Sequence, residues 1–131
     1  MSQALLITDD RALAQLVGLA CLERGVTVRV VDTICEGVRC LTEMQVSAIL
    51  ADAACLRLWQ AEQVRLFDRV APGVQVIMLV SDTTSAADRI ELELLGCSVL
   101  PKPVDIEGLI RKVEMLQPEY LLDREGLQEV S

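Results

Sequence analysis

A doubly wound, three-layer α/β domain is the fold this sequence predicts. Five short apolar runs alternate with five longer segments of helical spacing. Most of the runs lack polar alternation, which marks strands covered on both faces. Glycine or Pro-Gly stands where the helical segments should stop, as expected for helix ends that need a left-handed residue or a break.

In order, the strands are expected at ALLIT (4–8), TVRVV (27–31), SAILA (47–51), VQVIMLV (74–80) and CSVL (97–100). Helices are expected over 11–24, about 35–44, 57–70, 84–95 and 105–117. In the first helix Leu13, Leu16, Val17, Ala20 and Cys21 form one apolar stripe at the spacing of a core-facing helix. Gly25 follows Arg24, Gly96 follows Leu95, and Pro72-Gly73 ends the third helix. A βα repeat of five units implies a parallel sheet, since each helix returns the chain across one face by a right-handed crossover.

At 131 residues the chain has room for one domain with a real core and not for two. Apolar residues make up 52% of it, yet Phe, Trp and Tyr occur once each, so Leu, Val, Ile, Ala and Met must fill the interior. Residues 1–117 are expected to form the domain. Pro118 and Gly126 mark 118–131 as a tail, a helical extension or a linker stub. Trp59 is expected to pack at the start of the third helix, near the site; Phe67 and Tyr120 read as filler.

The net charge of −8 repels nucleic-acid phosphate, so direct DNA or RNA binding is not expected. The apolar runs are too short to span a membrane and the N-terminus lacks a basic leader; a soluble cytoplasmic protein is expected. The five cysteines contain no CxxC pair and the chain has no histidine. That spacing offers no zinc site and suits buried reduced thiols. Hydrolases built on Ser/His/Asp or Cys/His are excluded.

Ligands of open α/β sheets bind beyond the carboxyl ends of the strands. Asp9 and Asp10 follow the first strand, Asp52 the third, and Pro101, Lys102 and Pro103 the fifth. Carboxylates gathered there repel one another, and a hard divalent cation, Mg²⁺ first, offsets that charge with oxygen ligands and retained waters. A lysine opposite suits a phosphoryl oxygen as a point charge. Each feature alone has a plainer use: Asp10 suits a helix N-cap, and Lys-Pro is common in loops.

The residues resemble the receiver domains of two-component response regulators. LLITDD is similar to that family's first strand and acidic pair, and VSAILAD to its third strand ending in the phosphoacceptor. LGCSVLPKPVDIEGLIRKVE is similar to its glycine, Lys-Pro and last helix. The resemblance covers about residues 4–117 and implies a flavodoxin-like sheet of order 2-1-3-4-5. It implies that Asp9, Asp10, Asp52 and the Ala54 backbone carbonyl hold Mg²⁺, that Asp52 accepts a phosphoryl group, and that Lys102 pairs with it. It further implies a signalling module, not an enzyme. Its partners would be a sensor histidine kinase and a downstream protein or output domain, with a homodimer through helices four and five.

Two positions depart from that pattern. The family carries Thr or Ser at the end of strand four, where Val80 stands here; Ser81 follows it, but side chains alternate along a strand. Val99 replaces the aromatic switch residue of strand five. Losing one charge-assisted hydrogen bond forfeits about 1.5–3 kcal/mol, roughly 10-fold to 100-fold in an active/inactive ratio. The alternative is a pseudo-receiver that acts as a protein-interaction module without phosphate. Other enzymes of similar architecture fit less well: GxGxxG is absent after strand one, as is the hydroxyl-rich phosphate loop of a flavin carrier. Asp9 and Asp10 are adjacent, whereas a haloacid-dehalogenase-type phosphatase spaces its aspartates by one residue.

Overall fold

The computed structural model describes residues 3–55 and 59–116. Strands and helices alternate throughout: β1 (Gln3–Ile7), α1 (Arg11–Glu23), β2 (Val28–Val31), α2 (Ile34–Glu43), β3 (Val46–Asp52), α3 (Gln60–Val70), β4 (Gln75–Val80), α4 (Ala86–Leu94), β5 (Ser98–Pro101) and α5 (Ile106–Met115). The sheet has the order β2-β1-β3-β4-β5 and every pairing is parallel. The expected doubly wound fold and strand order are therefore those of the protein. The suggested tail at 118–131 and Tyr120 lie outside the described residues.

Alternation along the strands explains the three layers. Leu5, Ile7, Ile49, Ala51, Met78 and Val80 face one core with Val64 and Phe67 of α3 and Leu92 of α4. Ala4, Leu6, Leu50, Ile77 and Leu79 face the other, with Leu13, Val17 and Cys21 of α1 and Leu109, Ile110 and Val113 of α5. Both faces are covered, so the strands read as unbroken apolar runs. Aliphatic side chains fill both layers; Phe67, fully buried, is the one phenylalanine of the chain.

The starts of α1, α2 and α4 carry side-chain caps, which satisfy backbone N–H groups that have no intrahelical partner. Thr33 accepts from the Glu36 N–H at 3.2 Å and Ser85 from the Asp88 N–H at 3.1 Å. At the other ends Gly25 and Gly96 have φ of 70° and 92°, a backbone state that costs glycine little.

Leu16 departs from the expected stripe, being 55% exposed while Leu13, Val17 and Cys21 are buried. It sits one residue step, about 100°, around the helix from Val17. The line Leu13-Val17-Cys21 is enough to seat α1 on the sheet. Trp59 is a second departure: it stands at the N-terminus of α3 without a side-chain cap bond and is 81% exposed instead of packed.

Cys21, Cys40 and Cys97 are buried, Cys55 is half-buried and Cys35 is exposed; all five are free. Burial, with the charge of Glu114 adding to it, pushes the Cys21 thiol up to about 11. Burial also raises Cys97, whose thiol donates to the Leu92 carbonyl at 3.1 Å. A native sample treated with iodoacetamide near pH 8 is expected to be alkylated at Cys35 first. Cys21 and Cys97 should stay unmodified until denaturant is added, since the thiolate is the reactive form. Peptide mapping checks this; rapid native labelling of Cys21 would contradict the burial. Among the described residues no helix is long and apolar enough to cross a membrane.

Candidate functional site

The register of the sheet decides which side chains meet. Ile7 pairs with Ala51 across β1 and β3, so the next residues, Thr8 and Asp52, leave the sheet side by side. Asp52 pairs with Leu79 of β4, and the Ala53 N–H donates to the Leu79 carbonyl at 3.0 Å. Val80 pairs with Pro101, and the Lys102 N–H donates to the Val80 carbonyl at 2.8 Å. Thr8, Asp52 and Lys102, far apart in sequence, thus share one edge of the sheet. The Lys102–Pro103 peptide bond is cis.

Asp52 is 1% exposed and accepts three hydrogen bonds. Lys102 Nζ donates to Oδ1 at 2.7 Å, the Ala54 N–H to the same oxygen at 3.2 Å, and Thr8 Oγ1 to Oδ2 at 2.7 Å. A buried carboxylate requires such partners and, above all, a counter-charge. The lysine is the more open member, its side chain 29% exposed against 2% for Asp52. A buried nucleophilic oxygen beside a partly open ammonium suits an incoming group that carries negative oxygens.

Asp10 is the N-cap of α1, with Oδ1 accepting from the Leu13 N–H at 3.2 Å. Asp9 and Asp10 are exposed and line, with Asp32 and Glu36, a hollow of about 560 Å³ beside the ends of β1 and β2. Among the described residues no three Asp, Glu, Cys or His side chains stand close enough together to hold a metal ion. Asp10 is turned to its helix, and both Asp52 oxygens already hold donors. The oxygen donors still match a hard cation that keeps several waters, since Oδ2 of Asp52 accepts from Thr8 with one lone pair and has a second to offer.

Val80 ends β4 and is fully buried among the residues facing α2, α3 and α4. Ser81 is exposed; its hydroxyl meets Thr83 Oγ1 at 2.8 Å and accepts from the Thr83 N–H, apart from Asp52. Val99 is buried in β5. The Ala54 side chain is exposed while its N–H reaches Asp52.

Two residues of the site were not singled out by the sequence reading. Thr8 lay in plain view as the hydroxyl between an aliphatic strand and the acid pair, yet only the parallel register puts it on Asp52. Cys55 donates to the Asp32 carbonyl at 3.3 Å; burial first, then the charge of Asp9, raises its thiol.

No protein-family model and no curated protein matches the sequence. Solved structures do. The receiver domain of a Francisella response regulator is 24% identical, with a TM-score of 0.78 over 88% of this chain and 96% of that one. A response-regulator receiver-domain protein from Methanospirillum hungatei is 20% identical, with a TM-score of 0.77 over 94% and 98%. A Burkholderia pseudomallei response regulator, solved with a phosphorylated aspartic acid, a calcium ion and citrate, is 18% identical, with a TM-score of 0.72 over 98% and 75%. In architecture, strand order and near-complete overlap, this chain has the fold of response-regulator receiver domains.

Proposed function

We propose that this domain is a phosphorylation-controlled signalling module in which Asp52 accepts a phosphoryl group from a phosphohistidine on a sensor kinase. The observation that carries the reading is the buried Asp52 carboxylate bonded to Lys102 at 2.7 Å at the carboxyl edge of a parallel sheet. An Asp52 oxygen attacks phosphorus, the bond from phosphorus to the donor atom breaks, and the donor leaves with that electron pair. Lys102 and the Ala54 N–H, both already on Oδ1, then transfer to phosphoryl oxygens. Held by Asp9, Asp10, Asp52 and the Ala54 carbonyl, Mg²⁺ would draw charge from the phosphoryl oxygens. The output is an altered set of protein contacts in the cytoplasm, with a downstream protein, an output domain or a second copy through α4 and α5.

Incubation of the purified protein with Mg²⁺ and acetyl phosphate or phosphoramidate is expected to add one phosphoryl group by intact mass, mapped to Asp52 by peptide analysis. A chain that stays unmodified with both donors overturns the reading. The buried Val80, which brings no hydroxyl to the end of β4, favours a second reading: a scaffold that binds its partner equally well with and without phosphate. The exposed Ile90 and Leu94 of α4 are the face it would use.

A further inference from the structure

Among the described residues Thr8 is the one hydroxyl bonded to Asp52, and its own bonding fixes which way its proton points. Thr8 is 3% exposed. Its oxygen accepts from the Asp10 N–H at 3.1 Å and donates to Asp52 Oδ2 at 2.7 Å. A hydroxyl has a single proton to give, and a carboxylate can only accept, so that proton belongs to Oδ2. The two carboxylate oxygens are thereby made unequal. Oδ1 faces Lys102, whose side chain reaches solvent; Oδ2 faces the buried Thr8. A phosphoryl group arriving from solvent therefore goes to Oδ1 and leaves Oδ2 as the acyl oxygen.

We propose that the Thr8 hydroxyl shortens the lifetime of the phosphorylated state by stabilising the Asp52 carboxylate as it departs from phosphorus; this deepens the phosphoacceptor reading and rests on it. In hydrolysis, water attacks phosphorus and the bond from phosphorus to Oδ1 breaks. The electron pair returns to Asp52 as a carboxylate, and the protons of the water go to the phosphate and to solvent. The transition state is loose, so negative charge builds on the leaving carboxyl group and is shared with Oδ2. A hydrogen bond to a charged acceptor is roughly twice as strong as one to a neutral acceptor. Thr8 therefore holds the departing carboxylate more strongly than the acyl phosphate, and loss of phosphate is accelerated.

The test is to load wild type, Thr8→Val and Thr8→Ser with acetyl phosphate and Mg²⁺, remove the donor, and follow the adduct by intact mass. Thr8→Val is expected to lose it about 5-fold more slowly than wild type, and Thr8→Ser within about 2-fold of wild type, because serine restores the donor. Thr8→Ala gives the same slowing should Thr8→Val not fold. Loss from the hydroxyl-free variants at the wild-type rate or faster overturns the proposal while leaving Asp52 as the acceptor. Serine failing to restore the wild-type rate overturns it likewise. A wild type that takes up nothing overturns both.

Discussion

Asp52→Asn is expected to take up no phosphoryl group and to melt at or above the wild-type temperature, whereas Lys102→Ala melts about 6–10 °C lower. Asparagine keeps the shape of the side chain and one carbonyl oxygen for Lys102, but its amide nitrogen is no nucleophile. It also removes a charge buried to 1% exposure, and a partly exposed Lys102 turns to water at little cost. Removing the lysine does the opposite. It strands the carboxylate with only the Thr8 hydroxyl and the Ala54 N–H, and an uncompensated buried charge is expensive. Because the pair sits at the sheet edge, the loss is set at about 2 kcal/mol, below the 3–5 kcal/mol typical of deep pairs. For a chain of this size each kcal/mol moves the melting temperature by roughly 3–5 °C. The double variant should then melt above Lys102→Ala alone, and a thermal double-mutant cycle measures the coupling. Equal melting of Lys102→Ala and wild type would refute the account.

Phe67→Ala should lose about 3–5 kcal/mol, the largest expected change in stability. Phe67 is fully buried on α3, in the layer that also holds Leu5, Ile49, Met78 and Leu92. Its neighbours are strands fixed by their ladders, so the space it vacates cannot close. Against a total of about 5–15 kcal/mol for a native domain, the loss lowers the melting temperature by roughly 9–25 °C and raises the unfolded fraction near body temperature. Leu16→Ala, at a half-exposed position of α1, should stay within about 0.5 kcal/mol of wild type. Chemical denaturation of the two variants side by side checks both figures.

The fold was legible because burial on both faces leaves a plain mark on a strand. Leu5, Leu6, Ile7 and Val76 through Val80 admit no polar residue, as strands covered on both faces require, and their short length between helical segments set them apart from buried helices. Helix punctuation was legible at Gly25 and Gly96 for a local reason, the left-handed backbone each adopts. Leu16 was misplaced because spacing shows that a helix has an apolar side and not how wide a strip its neighbour covers. Trp59 went the same way: an aromatic at a helix start looks like core until the surrounding surface is known.

At the site, Asp52 and Lys102 were visible because, with Asp9 and Asp10, they follow strands one, three and five of a single regular pattern and so share the carboxyl edge of the sheet. The sequence reading expected Lys102 on a phosphoryl oxygen; in the structure its ammonium lies on Asp52 itself at 2.7 Å. The gathering of Asp9, Asp10 and Asp52 was expected from their common edge, but a sequence does not reveal side-chain direction. Asp10 turns to cap α1, the plainer use it also suited. Thr8 escaped because its partner lies 44 residues away and the contact is made by register alone.

The bonds that hold Asp52 come from the ends of β1 and β5 and from the loop after β3, bridging 44 and 50 residues of sequence. No hairpin, single βα unit or half-chain contains that set. On the proposed function, reactivity at Asp52 would report on the whole sheet: like a lock that turns only when every pin is in line, it would need β1, β3 and β5 in place together and be lost when any of them leaves.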